Sequence, residues 1–190
     1  IGVTALIFIA KGNPLGQLLT VIFSLLYGII SFSCSYYGEM LTYLGMTMPM
    51  AVFSLISWLK NPYNGNKSEV KVQRLKPKEY IVTAVLAITV TTGFYFVLKY
   101  FNTVNLIPSA LSVTTSFMAV FLTFKRSPFY AVWYAANDVI LIVLWSLSVA
   151  ENISYMSVVV CFVAFFANDI YGFANWKKMA RRQTTIQTVV

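Results

Sequence analysis

Long apolar runs separated by short polar breaks organise this chain from end to end. A membrane-crossing helix needs about 20 mostly apolar residues at a rise of about 1.5 Å each. Breaks at Gly12-Asn13-Pro14, Asn61-Pro62-Tyr63-Asn64-Gly65, Pro108 and Ser127-Pro128 divide the sequence on that scale, because Gly, Asn and Pro end or open helices. The pattern predicts spans at 14–35, 38–59, 79–98, 105–124, 127–150 and 153–176. Before them stands IGVTALIFIA, ten apolar residues ahead of Lys11, too few to cross. It has neither the basic n-region nor the small-residue cleavage site of a signal peptide. The expectation is a first transmembrane helix that is truncated in this chain, so that the fold is an all-α polytopic membrane protein with seven transmembrane helices.

Charge orients those spans. Lys11, the six basic residues of 60–78, Lys125, Arg126, Lys177, Lys178, Arg181 and Arg182 fall on one side, 13 of the 14 Lys and Arg, and Lys99 falls on the other near Glu39 and Glu151. Positive charge marks the cytoplasmic face. The C-terminus is therefore expected inside, in a multi-pass protein of the plasma membrane.

The chain resembles itself. ALIFIAKGNPLGQ matches MAVFLTFKRSPFY, YYGEMLTY matches SVAENISY, and LISWLKN matches FANWKKM. Spans one to three and five to seven thus form two three-helix repeats, and a linking helix between them restores direction, so the repeats run parallel (3+1+3). The division is residues 1–59 for the first repeat, 60–78 for a basic cytoplasmic loop, and 79–104 for the linking helix and outer loop. The second repeat covers 105–176 and a cytoplasmic tail covers 177–190. Transporters place substrate sites near the midplane between such repeats.

Composition supports this class and removes others. Hydrophobic residues make up 58%, charged residues 11%, and mean hydropathy is +0.72, against roughly 25% charged in soluble domains. The net charge of +8 follows from topology and gives no reason to expect nucleic acid. There is no histidine, so the commonest general base and metal ligand are missing. Cys34 and Cys161 sit in apolar stretches without metal or redox spacing. No cofactor and no metal are expected, and no nucleophile–base constellation speaks for an enzyme.

Polar side chains inside the spans carry the chemistry. At 100° per residue, Tyr130, Trp133, Tyr134, Asn137, Asp138, Leu141 and Trp145 lie within about 140° of one another on span six. Fainter stripes run through Ser24, Tyr27, Gly28, Ser31 and Ser35, through Tyr43, Thr47, Met50, Ser54 and Ser57, and through Ser154, Ser157, Cys161, Asn168, Gly172 and Asn175. Four stripes facing one axis make a polar cavity, although small-residue stripes also serve helix packing. Trp58 and Trp176, each beside basic residues, fit an interfacial belt. Asp138 and Asp169 are the acids within spans, and a carboxylate there costs at least about 3 kcal/mol. For Asp138 a proton relay, a counter-ion to a cationic substrate and a bond to neighbouring backbone all stay open. Asp169, about 100° off its helix's stripe, reads as a helix-to-helix contact. Pro49 bends span three, either as a hinge or as a tolerated kink.

Tyr130-Ala-Val-Trp133-Tyr-Ala-Ala-Asn137 resembles the WxxWxxxN signature of the PnuC family of bacterial vitamin transporters, with Tyr where the first Trp stands. NDVILIVLW, the basic loop and proline before it, and YGFANWKK are similar to that family as well. The likeness spans essentially the whole chain, and the 3+1+3 arrangement is one that PnuC proteins share with SWEET sugar transporters. The resemblance implies uptake of nicotinamide riboside across the bacterial inner membrane by facilitated diffusion, with a cytoplasmic kinase trapping the product. It assigns Trp133 and Asn137 to substrate. The substituted Tyr130 leaves thiamine or riboflavin open. The candidate substrate-binding set is Tyr27, Tyr130, Thr47, Trp133, Tyr134, Asn137, Asp138, Ser157 and Asn168. An aromatic platform attracts a pyridinium by about 2 kcal/mol when desolvated, an amide suits Asn137, and Asp138 balances the positive charge.

A proton-coupled carrier using Asp138 or Asp169 is the main alternative, and a passive scaffold the remaining one. The sequence names no protein partner, and it leaves a homo-oligomer open.

Overall fold

The structure, a computed structural model, describes residues 1–33, 40–102, 105–151 and 153–187. Cys34, Ser35 and Glu39, and the side chains of Ser31 and Glu151, lie outside the described residues.

Helix α1 (Gly2–Ala10) is followed by α2 (Leu15–Ser33). A π-helical turn (Thr42–Thr47) leads into α3 (Met48–Lys60). Strands β1 (Pro62–Tyr63) and β2 (Asn66–Val70) pair antiparallel, and then come α4 (Pro77–Tyr100), α5 (Leu106–Phe124), α6 (Tyr130–Glu151) and α7 (Met156–Gln187). Among the described residues five helical stretches are long and apolar enough to cross a membrane, namely Thr42–Lys60, Pro77–Tyr100, Leu106–Phe124, Tyr130–Leu147 and Ile153–Thr185. Leu15–Ile30 is a shorter apolar helix.

Packing runs α1–α2–α3–α5–α6–α7 and returns from α7 to α1, while α4 rests on α5. Six helices thus close a ring. Helix α4 lies outside it and presents Ile81, Val85, Ile88 and Phe96 outward, a greasy surface that suits lipid better than water. The ring closes tightly where α1 meets α2. A Cβ on Gly16 would lie 2.6 Å from the Ile9 amide nitrogen and 2.8 Å from the Ala5 carbonyl, so only glycine lets these backbones touch.

Three expectations change at the basic end of the ring. The chain is mostly helical rather than all-α, because the segment read as a solvated loop carries the β1–β2 hairpin. Val70 in that hairpin is fully buried and its amide donates to the Gly12 carbonyl at 3.0 Å. Secondly, the tail does not leave the helix at residue 177, since α7 runs on to Gln187. Nothing in KKMARRQTTIQ breaks a helix, and Met179 and Gln183 point one turn apart toward the hairpin. Gln183 accepts from the Val72 amide at 2.8 Å and donates to Glu69 at 2.9 Å and to the Val70 carbonyl at 3.1 Å. Arg182 pairs with Glu69 as well.

The third change concerns Trp58 and Trp176, which are not belt residues. Both are fully buried, with ring centroids 5.3 Å apart. Trp58 Nε1 donates to the Thr123 carbonyl and Trp176 Nε1 to the Ile9 carbonyl, each at 2.9 Å. Their preceding neighbours follow suit: Ser57 Oγ donates to the Phe124 carbonyl at 3.1 Å and Asn175 Nδ2 to the Ala10 carbonyl at 2.9 Å. The end of α3 therefore caps α5, and α7 caps α1, in reciprocal fashion. Carbonyls at helix ends lack intrahelical partners, and each tryptophan supplies one from the neighbouring helix, beside the turn amides of Arg126 and Gly12.

Pro49 is the second residue of α3, directly after the π-helical turn. Proline removes an amide hydrogen and crowds the carbonyl four residues back. The wider π turn accommodates both effects in place of a kink within α3.

Candidate functional site

The helix ring encloses a cavity of about 590 Å³, within the usual range of about 300–1,000 Å³ for small-molecule sites. At the basic end its wall includes Ile9, Ser54 and Thr123, directly above the two tryptophans. Toward the other end it reaches Phe101 and Asn105. Among the described residues no Lys or Arg lines it, and two acids do.

Helix α6 supplies the central wall. Tyr134, Asn137, Asp138, Leu141 and Trp145 recur at three- and four-residue steps and face the cavity together. Asn137 is held by α5: its Oδ1 accepts from Ser112 Oγ at 2.8 Å and Thr115 Oγ1 at 3.0 Å. Those bonds fix the amide plane, and the Nδ2 group is left as a donor. Tyr134 reaches Thr123 with its hydroxyl. Trp145 packs on Tyr155 with centroids 5.3 Å apart and the rings tilted by 49°.

Asp138 and Asp169 are both buried, at 4% exposure each. They come from α6 and α7 and lie within side-chain hydrogen-bonding reach of one another. The Oδ2 atom of Asp138 has no partner among the described residues. Asp169 thus stands on the cavity wall, although its register on α7 had suggested a purely structural contact. The reason is that α7 turns its Phe162, Phe165 and Asp169 side inward. Of its small residues, Gly172 faces a neighbouring helix, where an added Cβ would lie 3.1 Å from the Tyr130 hydroxyl, while Ser157 and Cys161, like Ser154 just before the helix, are exposed.

Of the expected substrate-binding set, the structure brings Tyr27, Thr47, Tyr134, Asn137 and Asp138 together around one cavity. Tyr130, Trp133, Ser157 and Asn168 are not part of its lining. Tyr130 is buried beneath it, 5.1 Å from the Trp176 ring. Trp133 is half-buried and packs on the same aromatic cluster. Ser157 is exposed and donates to the Ser154 carbonyl at 3.2 Å. Asn168 is partly exposed next to Asp169.

Several lining residues escaped the sequence reading. Ser109, Ser112 and Ser116 of α5 line the cavity, and their three- and four-residue spacing was a legible stripe in a span assigned none. Gln17 of α2 also lines it, 2% exposed, with Nε2 unpartnered among the described residues. A lone Gln one turn into a helix gives no periodic signal. Among the described residues no three metal-ligating side chains cluster.

Comparison with known proteins bears on this architecture. A family model described as "Nicotinamide mononucleotide transporter" matches residues 1–178. The nicotinamide riboside transporter PnuC of Neisseria mucosa is 23% identical over 188 residues, covering 96% of this chain and 71% of that protein. PnuC of Haemophilus influenzae, also a nicotinamide riboside transporter, is 21% identical over 185 residues, covering 95% and 77% respectively. The crystal structure of the vitamin B3 transporter PnuC superposes with a TM-score of 0.78 at 22% identity, over 96% of this chain and 79% of that one, which shows a shared fold. The chain belongs to the nicotinamide mononucleotide transporter family, together with the PnuC proteins, and is a membrane transporter and not an enzyme.

Proposed function

We propose that the chain carries nicotinamide riboside across the bacterial plasma membrane by facilitated diffusion, binding it in the cavity between two parallel three-helix repeats. Six helices in a ring with α4 outside, and the reciprocal tryptophan caps, support the 3+1+3 reading. The basic residues, concentrated at one end, support a cytoplasmic C-terminus. Transport of this kind runs only downhill, so accumulation beyond the outside concentration rests on trapping of the product by a cytoplasmic kinase.

The observation that carries the substrate is the lining itself. It combines aromatic faces, an oriented amide and two acids, and among the described residues no Lys or Arg. A flat cationic ring with an amide finds stacking, hydrogen bonds and a counter-charge there. A nucleotide phosphate would require Arg or Lys and would be repelled by Asp138 and Asp169. The riboside therefore fits better than the mononucleotide of the family's description. Both relatives named above are nicotinamide riboside transporters.

Calorimetry on the purified protein tests this with nicotinamide riboside, its mononucleotide, thiamine and riboflavin side by side. Micromolar binding of the riboside alone, reduced at least tenfold in Asn137→Ala, is the expected result. Tight binding of thiamine or riboflavin instead would transfer the site to another vitamin. A second reading, proton-coupled transport, draws on the buried Asp138–Asp169 contact. It predicts that a pH gradient imposed on vesicles drives accumulation, whereas facilitated diffusion predicts equilibration only.

A further inference from the structure

We propose that Asp138 and Asp169 act as one unit, a carboxyl pair bearing a single negative charge, which selects a cationic substrate over an uncharged one of the same shape. This rests on the riboside reading and adds to it the origin of charge selectivity.

The argument begins with donors and acceptors. An ionised carboxylate only accepts hydrogen bonds. Two carboxyls within hydrogen-bonding reach of one another, buried at 4% exposure each, bond only with a proton between them. The pair then holds one proton and one negative charge, spread over both groups. Two bare charges so close in an apolar wall would repel strongly. No Lys or Arg lines the cavity among the described residues, so the protein does not balance this charge from within.

Unbalanced charge calls for a ligand cation, since a buried ion is tolerated only when paired. Two further groups in the same cavity point to a ligand. Among the described residues Asp138 Oδ2 is buried and without a partner, and so is Gln17 Nε2 across the ring on α2. One is an acceptor and the other a donor, on opposite walls. Phe162 and Phe165 flank Asp169 along α7, so an aromatic cation meets π-faces beside the charge. Among the described residues the other titratable groups of the cavity wall are Tyr27, Tyr43 and Tyr134, with Tyr130 buried beneath it, and none of them supplies a cation.

The test compares two ligands that differ in charge and hardly in shape. Binding of nicotinamide riboside, a cation, and dihydronicotinamide riboside, which is uncharged, is measured on the purified protein. The same pair is run on Asp138→Asn, Asp169→Asn and the double variant. The expected result is a preference for the cation of about tenfold or more, kept in each single variant, where the amide stands in for the protonated carboxyl and one carboxylate remains, and abolished in the double one. Retained binding of the uncharged ligand by the variants reports an intact cavity. Equal binding of both ligands by the unaltered protein, or a preference that survives the double substitution, would overturn the pair. If neither riboside binds, the riboside reading fails. The charge question is then answered by 1-methylnicotinamide against nicotinamide at millimolar concentration, where equal binding overturns the proposal and a cation preference lost in the double variant upholds it.

Discussion

Asn137 divides its amide between protein and cavity: Oδ1 is taken by Ser112 and Thr115, and Nδ2 is free to donate. Replacement by alanine removes the cavity donor; Thr115 Oγ1 already lies 3.0 Å from the Leu111 carbonyl, and Ser112 Oγ, which loses its Asn137 acceptor, can turn to a carbonyl one turn back on its own helix. Asn137→Ala is therefore expected to lower riboside affinity at least tenfold while changing stability by less than about 1 kcal/mol. Calorimetry and thermal unfolding on the same preparation separate the two. Trp58 and Trp176 behave in the opposite way. Each phenylalanine replacement keeps the packing and loses one bond to a helix-end carbonyl, at about 1 kcal/mol. In a double-mutant cycle the ring contact should appear as coupling of about 0.5–1.5 kcal/mol. The sequence marked Trp58 and Trp176 as notable and misread their surroundings. A tryptophan beside lysine looks the same whether its ring meets headgroups or another tryptophan.

At the scale of elements, apolar periodicity was enough to locate five spans, and it failed where partners decide. The hairpin of 62–70 is held by contacts remote in sequence, through Gly12, Gln183 and Arg182. Gln183→Ala removes two of those bonds and a third, to the Val72 amide just beyond the hairpin. Trypsin should then cut at Lys67, Lys71 or Arg74 several times faster than in the unaltered protein, as followed by time-resolved gel analysis. The α1–α2 contact gives a second test. Gly16→Ala places a methyl group against the Ile9 and Ala5 backbone and should cost about 1–3 kcal/mol, visible as a lower unfolding midpoint. Because Ile9 and Gln17 line the cavity, riboside binding should weaken with it.

The whole molecule is a ring with an outlier. Thirteen of fourteen basic residues at one end lead to a specific topology, in which a reporter fused after residue 190 fluoresces in the cytoplasm, while an alkaline phosphatase fusion there stays inactive. The opposite pattern would reverse the assignment. By itself the sequence determined the membrane class, five apolar spans and a polar face on α6, because these depend on composition and local periodicity. Tertiary structure alone decided which faces turn inward. It moved Asp169 onto the cavity wall beside Asp138, took Tyr130 and Trp133 out of the lining, and brought in Gln17 and the α5 serines. The physical reason is that a helix's own period relates its residues only to each other. Rotation of each helix about its axis is set by how six of them pack against one another, and that is not written in any single stretch.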